Sequence, residues 1–207
     1  MGNFKTKKRL SKQDLTFCKT HTRFDEPSIK ALYKTFRRDC PSGKFTQADM
    51  VDMYKMFFPD GNAYKFSNHV LRILDQDQNG VIEFKEFIVA LDIMGAGTVN
   101  EKFRYAFRMY DINGDGTINQ GEMNQVLKTL YELMGKYSFD NHDALEERTK
   151  AFFAEVDKDG DGYLTEDEFL RGCLKDTDLS NLLRFVDFNK PLFRWIKRLA
   201  CFVISAI

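Results

Sequence analysis

The sequence predicts an all-α protein of two lobes, each formed by a pair of helix-loop-helix units. Two observations lead to this prediction. The chain of 207 residues repeats one acidic, glycine-containing loop three times, and amphipathic segments of helical periodicity flank the copies. A fourth, altered copy lies upstream of the other three. The chain therefore contains four helix-loop-helix units, an even number that can form two pairs. The first unit is the degenerate one.

The three acidic loops share a pattern of oxygen-bearing residues. They span residues 75–86, 111–122 and 157–168, and each has Asp or Asn at positions 1, 3 and 5, Gly at position 6 and Glu at position 12. This is the pattern of the EF-hand, in which a tightly wrapped loop directs six to eight oxygen atoms at one Ca²⁺ ion. A solvated acidic turn can produce one such match by chance, but three matches argue strongly against that interpretation.

Each loop supplies five predicted ligands, namely the side chains at positions 1, 3, 5 and 12 and the backbone carbonyl at position 7. The predicted metal ligands are Asp75, Asp77, Asn79, Val81 and Glu86; Asp111, Asn113, Asp115, Thr117 and Glu122; and Asp157, Asp159, Asp161, Tyr163 and Glu168. Glu at position 12 favours Ca²⁺ over Mg²⁺, because the smaller ion requires a strict octahedron. We therefore expect up to three Ca²⁺ ions.

The segments beside the loops have apolar residues at helical spacing. Phe103, Ala106, Phe107 and Tyr110 recur at i, i+3, i+4 and i+7, which predicts a helix over residues 100–110 that enters the second intact loop. Isolated helix-loop-helix units would expose such apolar faces to water. Pairing of the units is therefore expected.

The upstream copy of the loop has lost its ligands. Counted from Asp39, it has Pro41 at position 3, Gly43 at position 5, Lys44 at position 6 and Met50 at position 12. Three side-chain ligands are missing, so no Ca²⁺ is expected there. Its predicted role is to complete a pair with the loop at residues 75–86.

The expected pairing divides the chain into four parts. The predicted boundaries are 1–22 for a myristoylation signal and basic arm, 23–94 for the N-terminal pair, 100–175 for the C-terminal pair and 176–207 for a helical, apolar tail. Residues 95–98 contain two glycines and indicate a bend between the lobes. Residues 135–143 are interpreted as a polar insertion of unassigned function.

The charge balance bears on the class of binding partner, and the cysteines bear on the cellular compartment. Thirty-one basic residues balance thirty-one acidic residues, which gives no support for a nucleic-acid partner. No apolar run approaches the roughly 18 to 20 residues that span a bilayer. Four cysteines without paired spacing and the lack of a secretory signal predict reduced thiols and a cytoplasmic location.

The N terminus predicts attachment to a membrane surface. The first six residues, Met-Gly-Asn-Phe-Lys-Thr, fit the N-myristoylation pattern, so we expect covalent myristate on Gly2. One myristoyl chain anchors weakly, and the five basic residues among the first twelve supply a second attraction to anionic lipid. An unmodified basic terminus is the alternative interpretation. Peripheral membrane association is expected, either constant or dependent on Ca²⁺.

The C terminus begins as a basic amphipathic helix and ends in an uncharged apolar segment, over residues 191–207. An end this apolar is not expected to remain in water. Three places are open to it: a hydrophobic groove of the same chain, a membrane surface, or a second chain in a homodimer. The groove is the favoured interpretation.

Several short segments together resemble the neuronal calcium sensor family. They are Met1-Gly2-Asn3, the degenerate loop with Asp39-Cys-Pro-Ser-Gly43, Phe57-Phe-Pro59 and the three intact loops. The resemblance implies an N-terminal cavity that stores myristate and releases it with Ca²⁺, opening a groove for a helix of a target protein. On the family pattern, the groove residues are Leu32, Tyr33, Phe36, Tyr54, Phe57, Phe87 and Leu91. Each is equally suited to ordinary core packing.

Two features depart from the family pattern. Leu32 stands where the family usually has Trp, which affects the expected shape of the cavity. The apolar tail from Phe193 to Ile207 is longer than is usual in the family, which affects access to the groove.

The leading functional hypothesis is a calcium sensor that regulates a membrane-associated target in signalling. The alternative is a passive calcium buffer, which binds ions with little helix opening. An enzyme is not expected, because His21, His69 and His142 lack metal-ligand spacing and no nucleophile motif or phosphate-binding loop is present.

Overall fold

The computed structural model describes residues 9–135 and 142–175. Its helices and strands follow in chain order: α1 (Lys12–His21), α2 (Glu26–Asp39), β1 (Lys44–Thr46), α3 (Gln47–Phe57), α4 (Ala63–Leu74), β2 (Val81–Glu83), α5 (Phe84–Ala96), α6 (Val99–Tyr110), β3 (Thr117–Asn119), α7 (Gln120–Leu133), α8 (His142–Val156), β4 (Tyr163–Thr165) and α9 (Glu166–Lys175). The predicted all-α class with paired units is confirmed, since the strands are only three residues long.

The short strands join the units in pairs. β1 runs antiparallel to β2 with Phe45 opposite Ile82, and β3 runs antiparallel to β4 with Ile118 opposite Leu164. The two pairs are therefore the degenerate loop with the loop at 75–86, and the loop at 111–122 with the loop at 157–168. Each pair buries its central apolar residues between the two loops.

Each lobe has an aromatic core. In the N-terminal lobe, Tyr54 meets Phe66 edge to face with ring centroids 5.2 Å apart. In the C-terminal lobe, Phe107 meets Phe169 in the same way at 5.7 Å. The face predicted for the helix before the second intact loop is observed on α6, where Ala106, Phe107 and Tyr110 are buried and Phe103 is partly buried.

A helix occupies the C-terminal part of the segment interpreted from the sequence as a myristoylation signal and basic arm. α1 begins after Ser11, whose hydroxyl accepts a hydrogen bond from the Asp14 amide. It packs against α2 and α5 and buries Cys18 completely. The sequence pattern does not predict this helix, because its apolar residues are few and weakly periodic.

The bend between the lobes is shorter than predicted. Residues 95 and 96 lie in α5, so that only Gly97 and Thr98 separate α5 from α6. A Cβ atom at Gly97 would lie 2.2 Å from the Ile93 carbonyl oxygen, so this tight turn excludes any larger residue. Thr98 caps α6 through a capping box with Glu101.

Helix α4 carries further contacts between the lobes. The Asn62 amide donates to the Glu132 carbonyl on α7 over 3.0 Å, and the Lys65 ammonium lies 2.9 Å from the Glu132 carboxylate. Gly61 also packs against the backbone of Leu133, where a Cβ atom would collide with the carbonyl oxygen. The lobes are thus held together along the N-terminal half of α4 as well as at the turn.

Some predicted features fall outside the described residues. These are Gly2 and the basic cluster of the first eight residues, most of the insertion at 135–143 and the tail from residue 176. Within the described part of the chain, no helix has the length and apolar character needed to cross a membrane.

Candidate metal centres

The first intact loop brings three of its predicted ligands together. One carboxylate oxygen from each of Asp75, Asp77 and Glu86 lies within 4.8 Å of the others. The Asp75 carboxylate accepts hydrogen bonds from the Asn79 and Gly80 amides at 3.0 and 2.8 Å. These bonds wrap the loop around its own carboxylates, so that hard oxygen donors face one point.

The last loop gathers a different set. The carboxylates of Asp157, Asp159 and Asp161 come within 4.8 Å of one another, whereas Glu168 lies outside this group. Glu168 accepts hydrogen bonds from the Lys158 amide at 3.1 Å and from the Thr165 hydroxyl at 2.7 Å. The hydroxyl bond is the main reason that the pKa of Glu168 is lowered, which keeps the carboxylate charged.

The middle loop has the same wrapping but a mixed ligand set. The Asp111 carboxylate accepts from the Gly114 and Gly116 amides at 2.7 and 3.1 Å. The Asn113 side-chain amide donates to Asp115 over 2.7 Å. Among the described residues, the carboxylates of this loop do not form a close group of three.

The three loops share the features that a calcium site requires. The position-6 glycines, Gly80, Gly116 and Gly162, have φ of +81°, +88° and +84°, a conformation that favours glycine. The position-7 residues Val81, Thr117 and Tyr163 begin strands β2, β3 and β4. Only oxygen donors are offered, so the donor chemistry fits Ca²⁺. Burial raises the pKa of Glu86, and a carboxylate whose charge is disfavoured in this way gains from a bound cation.

The position-12 carboxylates also start the exiting helices. The Glu122 carboxylate accepts from the Asn119 amide at 3.0 Å, while the Asn119 side chain accepts from the Glu122 amide at 3.0 Å. Glu86 and Glu168 accept from the amides at position 9 in the same way. One residue therefore serves the loop as a ligand and the helix as its cap.

The degenerate loop has a different register from the one predicted. Phe45 pairs with Ile82, Gly43 has a φ of +80° like the position-6 glycines, and Asp49 forms the capping box with Thr46. These three matches place Arg38 at position 1, Gly43 at position 6 and Asp49 at position 12. The count from Asp39 was wrong by one residue, because it took the first acid as the start of the loop.

With the corrected register, the residues of this loop still give a chemical reason why no Ca²⁺ is expected there. Arg38 replaces the first acidic ligand and pairs with Asp39 at 2.8 Å, while Cys40 and Ser42 occupy positions 3 and 5. The Arg37 guanidinium lies directly over Gly43. Burial raises the pKa of Cys40 to about 12, so its thiol stays protonated and is a poor nucleophile.

The residues assigned to a groove lie in the N-terminal core of this structure. Leu32, Phe36, Tyr54, Phe87 and Leu91 are buried, and Tyr33 and Phe57 are partly buried against them. Phe84, which the sequence analysis did not include, joins this cluster at 5.0 Å from Tyr33 and 5.6 Å from Phe36 between ring centroids. Its place two residues before Glu86 was the signal available in the sequence.

Comparison with known proteins agrees with this architecture. The profile of an EF-hand domain pair matches residues 41–93, and a second profile of an EF-hand domain pair matches residues 100–174. Recoverin from Homo sapiens is 33% identical over 189 residues, which cover 89% of this chain and 94% of recoverin. The chain belongs to the neuronal calcium sensor family. As a neuronal calcium sensor, it is a calcium-binding protein of the EF-hand type, and the family assignment from its sequence motifs is confirmed.

Proposed function

We propose that this neuronal calcium sensor uses its N-terminal lobe to transmit calcium binding to a membrane-associated target. The supporting observation is that Glu86 shares the first turns of α5 with two members of an aromatic cluster, which consists of Tyr33, Phe36, Phe84 and Phe87. Phe84 and Phe87 flank Glu86 in sequence, and both are buried against α2. When bound, Ca²⁺ supplies a compact double positive charge that attracts the loop carboxylates.

Any shift of Glu86 moves the helix that covers the aromatic cluster. Glu86 is the position-12 residue and lies in the first turn of α5, where its carboxylate accepts from the Glu83 amide in the capping box. Movement of this carboxylate toward the ion is therefore coupled to the start of the helix. Turning α5 separates Phe84 and Phe87 from Tyr33 and Phe36. The apolar surface released is the groove, which fits the apolar face of a target helix.

The N-terminal arm is connected to the same helix. α1 packs on α5, and the Lys85 ammonium lies 5.8 Å from the centre of the Phe17 ring. A change in α5 is therefore passed to α1 and to the arm before it. With myristate on Gly2 and the basic residues of the arm, this connection makes membrane attachment of a cytoplasmic protein dependent on Ca²⁺.

The test is sedimentation of the myristoylated full-length protein with vesicles containing anionic lipid, at micromolar Ca²⁺ and with a chelator. The wild-type protein is expected to sediment only with Ca²⁺. Gly2→Ala is expected to remain in solution, and Glu86→Gln is expected to lose the calcium response. Equal binding with and without Ca²⁺ would contradict the switch, and no binding in either condition would contradict membrane attachment.

The alternative function is a passive calcium buffer, which is favoured by the burial of the groove residues. A buffer binds Ca²⁺ with the same loops but does not open the helices. Fluorescence of a hydrophobic dye separates the two functions. A rise in dye fluorescence on Ca²⁺ addition supports the sensor, and an unchanged signal with saturated loops supports the buffer.

A further inference from the structure

One arginine of the N-terminal lobe reaches into a calcium loop of the C-terminal lobe. Arg72 lies in the last turn of α4, three residues before the first ligand of the loop at 75–86. Its guanidinium donates to the Asp111 carbonyl oxygen at 2.6 Å and to the Met109 carbonyl oxygen at 2.8 Å. Asp111 is the first ligand of the next loop, so a single side chain connects the entrances of two calcium loops.

The carbonyl groups that Arg72 contacts need a partner from outside their own helix. They lie at the C-terminal end of α6, where the last four carbonyl groups lack N–H donors within the helix and the helix dipole is negative. A guanidinium suits this place because it is positively charged and presents several N–H groups in a fixed plane. The contact thus fixes the backbone of Asp111 from the other lobe.

Asp111 is also fixed from within its own loop. Its amide donates to the Phe107 carbonyl at 2.9 Å, and its carboxylate accepts from the Gly114 and Gly116 amides. The carbonyl bond to Arg72 completes the set of contacts that orient this ligand. Since Asp111 is buried, the position of its backbone determines where its carboxylate lies.

The charges around Arg72 support the same connection. Desolvation by burial lowers the pKa of Arg72, and the carboxylates of Asp111 and Glu122 partly oppose this effect. The guanidinium remains charged at neutral pH, because the ordinary pKa of arginine is above 12. Arg72 therefore places a permanent positive charge beside a loop that belongs to the other lobe.

We propose that Arg72 couples the calcium loop at 75–86 to the calcium loop at 111–122. Occupancy of the first loop orders the C-terminal end of α4, and with it the guanidinium that holds the Asp111 and Met109 carbonyls. The loop at 111–122 then loses less conformational entropy when it binds its ion, which raises its affinity. This inference rests on calcium binding by the loops and not on the membrane or target steps proposed above.

The test is a mutant cycle on the full-length protein, with Ca²⁺ titrations followed by the NMR amide signals of Gly80 and Gly116. Glu86→Gln disables the first loop and is expected to weaken the second by at least about fivefold, in the range of typical coupling energies. Coupling is reciprocal, so Glu122→Gln is expected to weaken the first loop by the same factor. In the Arg72→Gln background, both effects are expected to fall below about twofold.

Two matched variants separate the hydrogen bonds from the charge. Arg72→Lys keeps the charge but lacks the planar fork, and it is expected to lose most of the coupling. Arg108→Gln removes a positive charge from the same end of α6, where Arg108 lies over the Tyr105 ring, and it is expected to retain the coupling. Full coupling in Arg72→Lys, or loss of coupling in Arg108→Gln, would show that charge alone is responsible and would overturn the proposal.

A measurement without calcium gives an independent readout. With a chelator present, Arg72→Gln is expected to speed hydrogen exchange at the Gly114 and Gly116 amides, which donate to Asp111. Arg108→Gln is expected to leave these rates unchanged. Unchanged hydrogen exchange in Arg72→Gln would overturn the proposal. So would a Gly116 titration that is the same in the Glu86→Gln single variant as in the wild-type protein. Either result would leave the vesicle test of the proposed function unaffected.

Discussion

Individual residues in this protein take on more than one role. Glu122 is a predicted ligand, an acceptor for the Asn119 amide and part of the start of α7. Asp111 is a predicted ligand whose carbonyl oxygen also accepts from Arg72. His69, by contrast, is a buried packing residue, because only 8% of its surface is exposed and its pKa is lowered to about 4. The chemistry of each side chain therefore depends on its environment more than on its type.

The burial of His69 predicts a pH dependence of stability. The folded protein takes up this proton with a pKa of about 4, whereas the ordinary value is 6.5, and desolvation is the main cause. The unfolded chain binds more protons between these values, so stability falls as the pH is lowered from about 6.5 to about 4. The loss attributable to His69 approaches about 3 kcal/mol at the lower end.

Chemical denaturation with a chelator at several pH values measures this contribution. His69→Gln is expected to show a shallower decline than the wild-type protein between pH 6.5 and 4, whatever its stability at neutral pH. The exposed His21 provides a control, and His21→Gln is expected to leave the decline unchanged. Parallel curves for wild type and His69→Gln would contradict the assignment.

At the scale of secondary structure, the loops determine where the helices begin and end. Position 1 ends the entering helix, as Asp75 and Asp111 do for α4 and α6. Positions 9 and 12 form the capping boxes that begin α3 and α7. The degenerate loop keeps this framework with Thr46 and Asp49, although it has lost the ligands. Loss of the ligand residues therefore does not require loss of the helix-loop-helix unit.

The corrected register of the degenerate loop can be tested by restoring its ligands. Arg38→Asp, Cys40→Asp, Ser42→Asn and Asp49→Glu together place acids or an amide at positions 1, 3, 5 and 12. This combined variant is expected to bind one more Ca²⁺ than the wild-type protein in a calorimetric titration. Ligands installed by the count from Asp39, with Pro41→Asp, Gly43→Asn and Met50→Glu, are expected to add none. Added binding only in the second variant would contradict the register.

The turn between α5 and α6 is held by an ion-pair cluster. Asp92 is 3% exposed and accepts from the Arg23 backbone amide at 2.9 Å. The Arg23 guanidinium lies 2.5 Å from the Asp92 carboxylate and also 2.5 Å from Glu101 at the start of α6. One residue from the α1–α2 connection thus bridges the two sides of the turn.

Removal of the buried acid is expected to weaken this junction. Asp92→Ala leaves the Arg23 amide without its acceptor, and it is expected to cost about 2 kcal/mol of stability. Denaturation followed by circular dichroism measures the change. Asp39→Ala removes the acid of an exposed arginine pair and serves as the control, with an unfolding midpoint close to that of the wild-type protein. Equal effects of the two substitutions would show that the buried cluster has no special role.

At the scale of the whole molecule, the described residues connect the two lobes at three places. These are the turn with its Arg23 cluster, the pairing of Lys65 with Glu132, and the contact from Arg72 to the end of α6. α4 takes part in two of the three. These few side-chain contacts are the connections on which the proposed coupling between the calcium loops depends, and the N-terminal lobe holds the aromatic cluster proposed to open.

The apolar tail gives a prediction at this scale. If residues 193–207 cover the proposed groove, a chain that ends at Asn189 is expected to show stronger Ca²⁺-dependent fluorescence of a hydrophobic dye than the full-length chain. Asn189 precedes the apolar segment, so the loops remain intact. A variant with Phe193→Ser and Ile196→Ser provides a control in which the length of the chain is kept. Unchanged dye binding in both variants would favour a membrane or a second chain as the site of the tail.

The sequence by itself determined the fold class, the pairing of the units and the identity of the loops, because these depend on local patterns. Ligand spacing, a glycine at position 6 and apolar periodicity act within a dozen residues. Local patterns did not predict α1, which packs against α5. They also gave the wrong first residue for the degenerate loop, because Asp39 is an acid that lies one residue after position 1.

The tertiary structure alone decided the register of the degenerate loop, the length of the turn at Gly97 and the contacts of Arg72 and Arg23. The register is fixed by pairing with β2, and the contacts of Arg72 and Arg23 join residues between 37 and 78 positions apart. A sequence pattern describes what neighbours along the chain can form together. Which distant backbone groups lie within hydrogen-bond reach is decided only when the lobes pack, since burial then requires each polar group to find a partner.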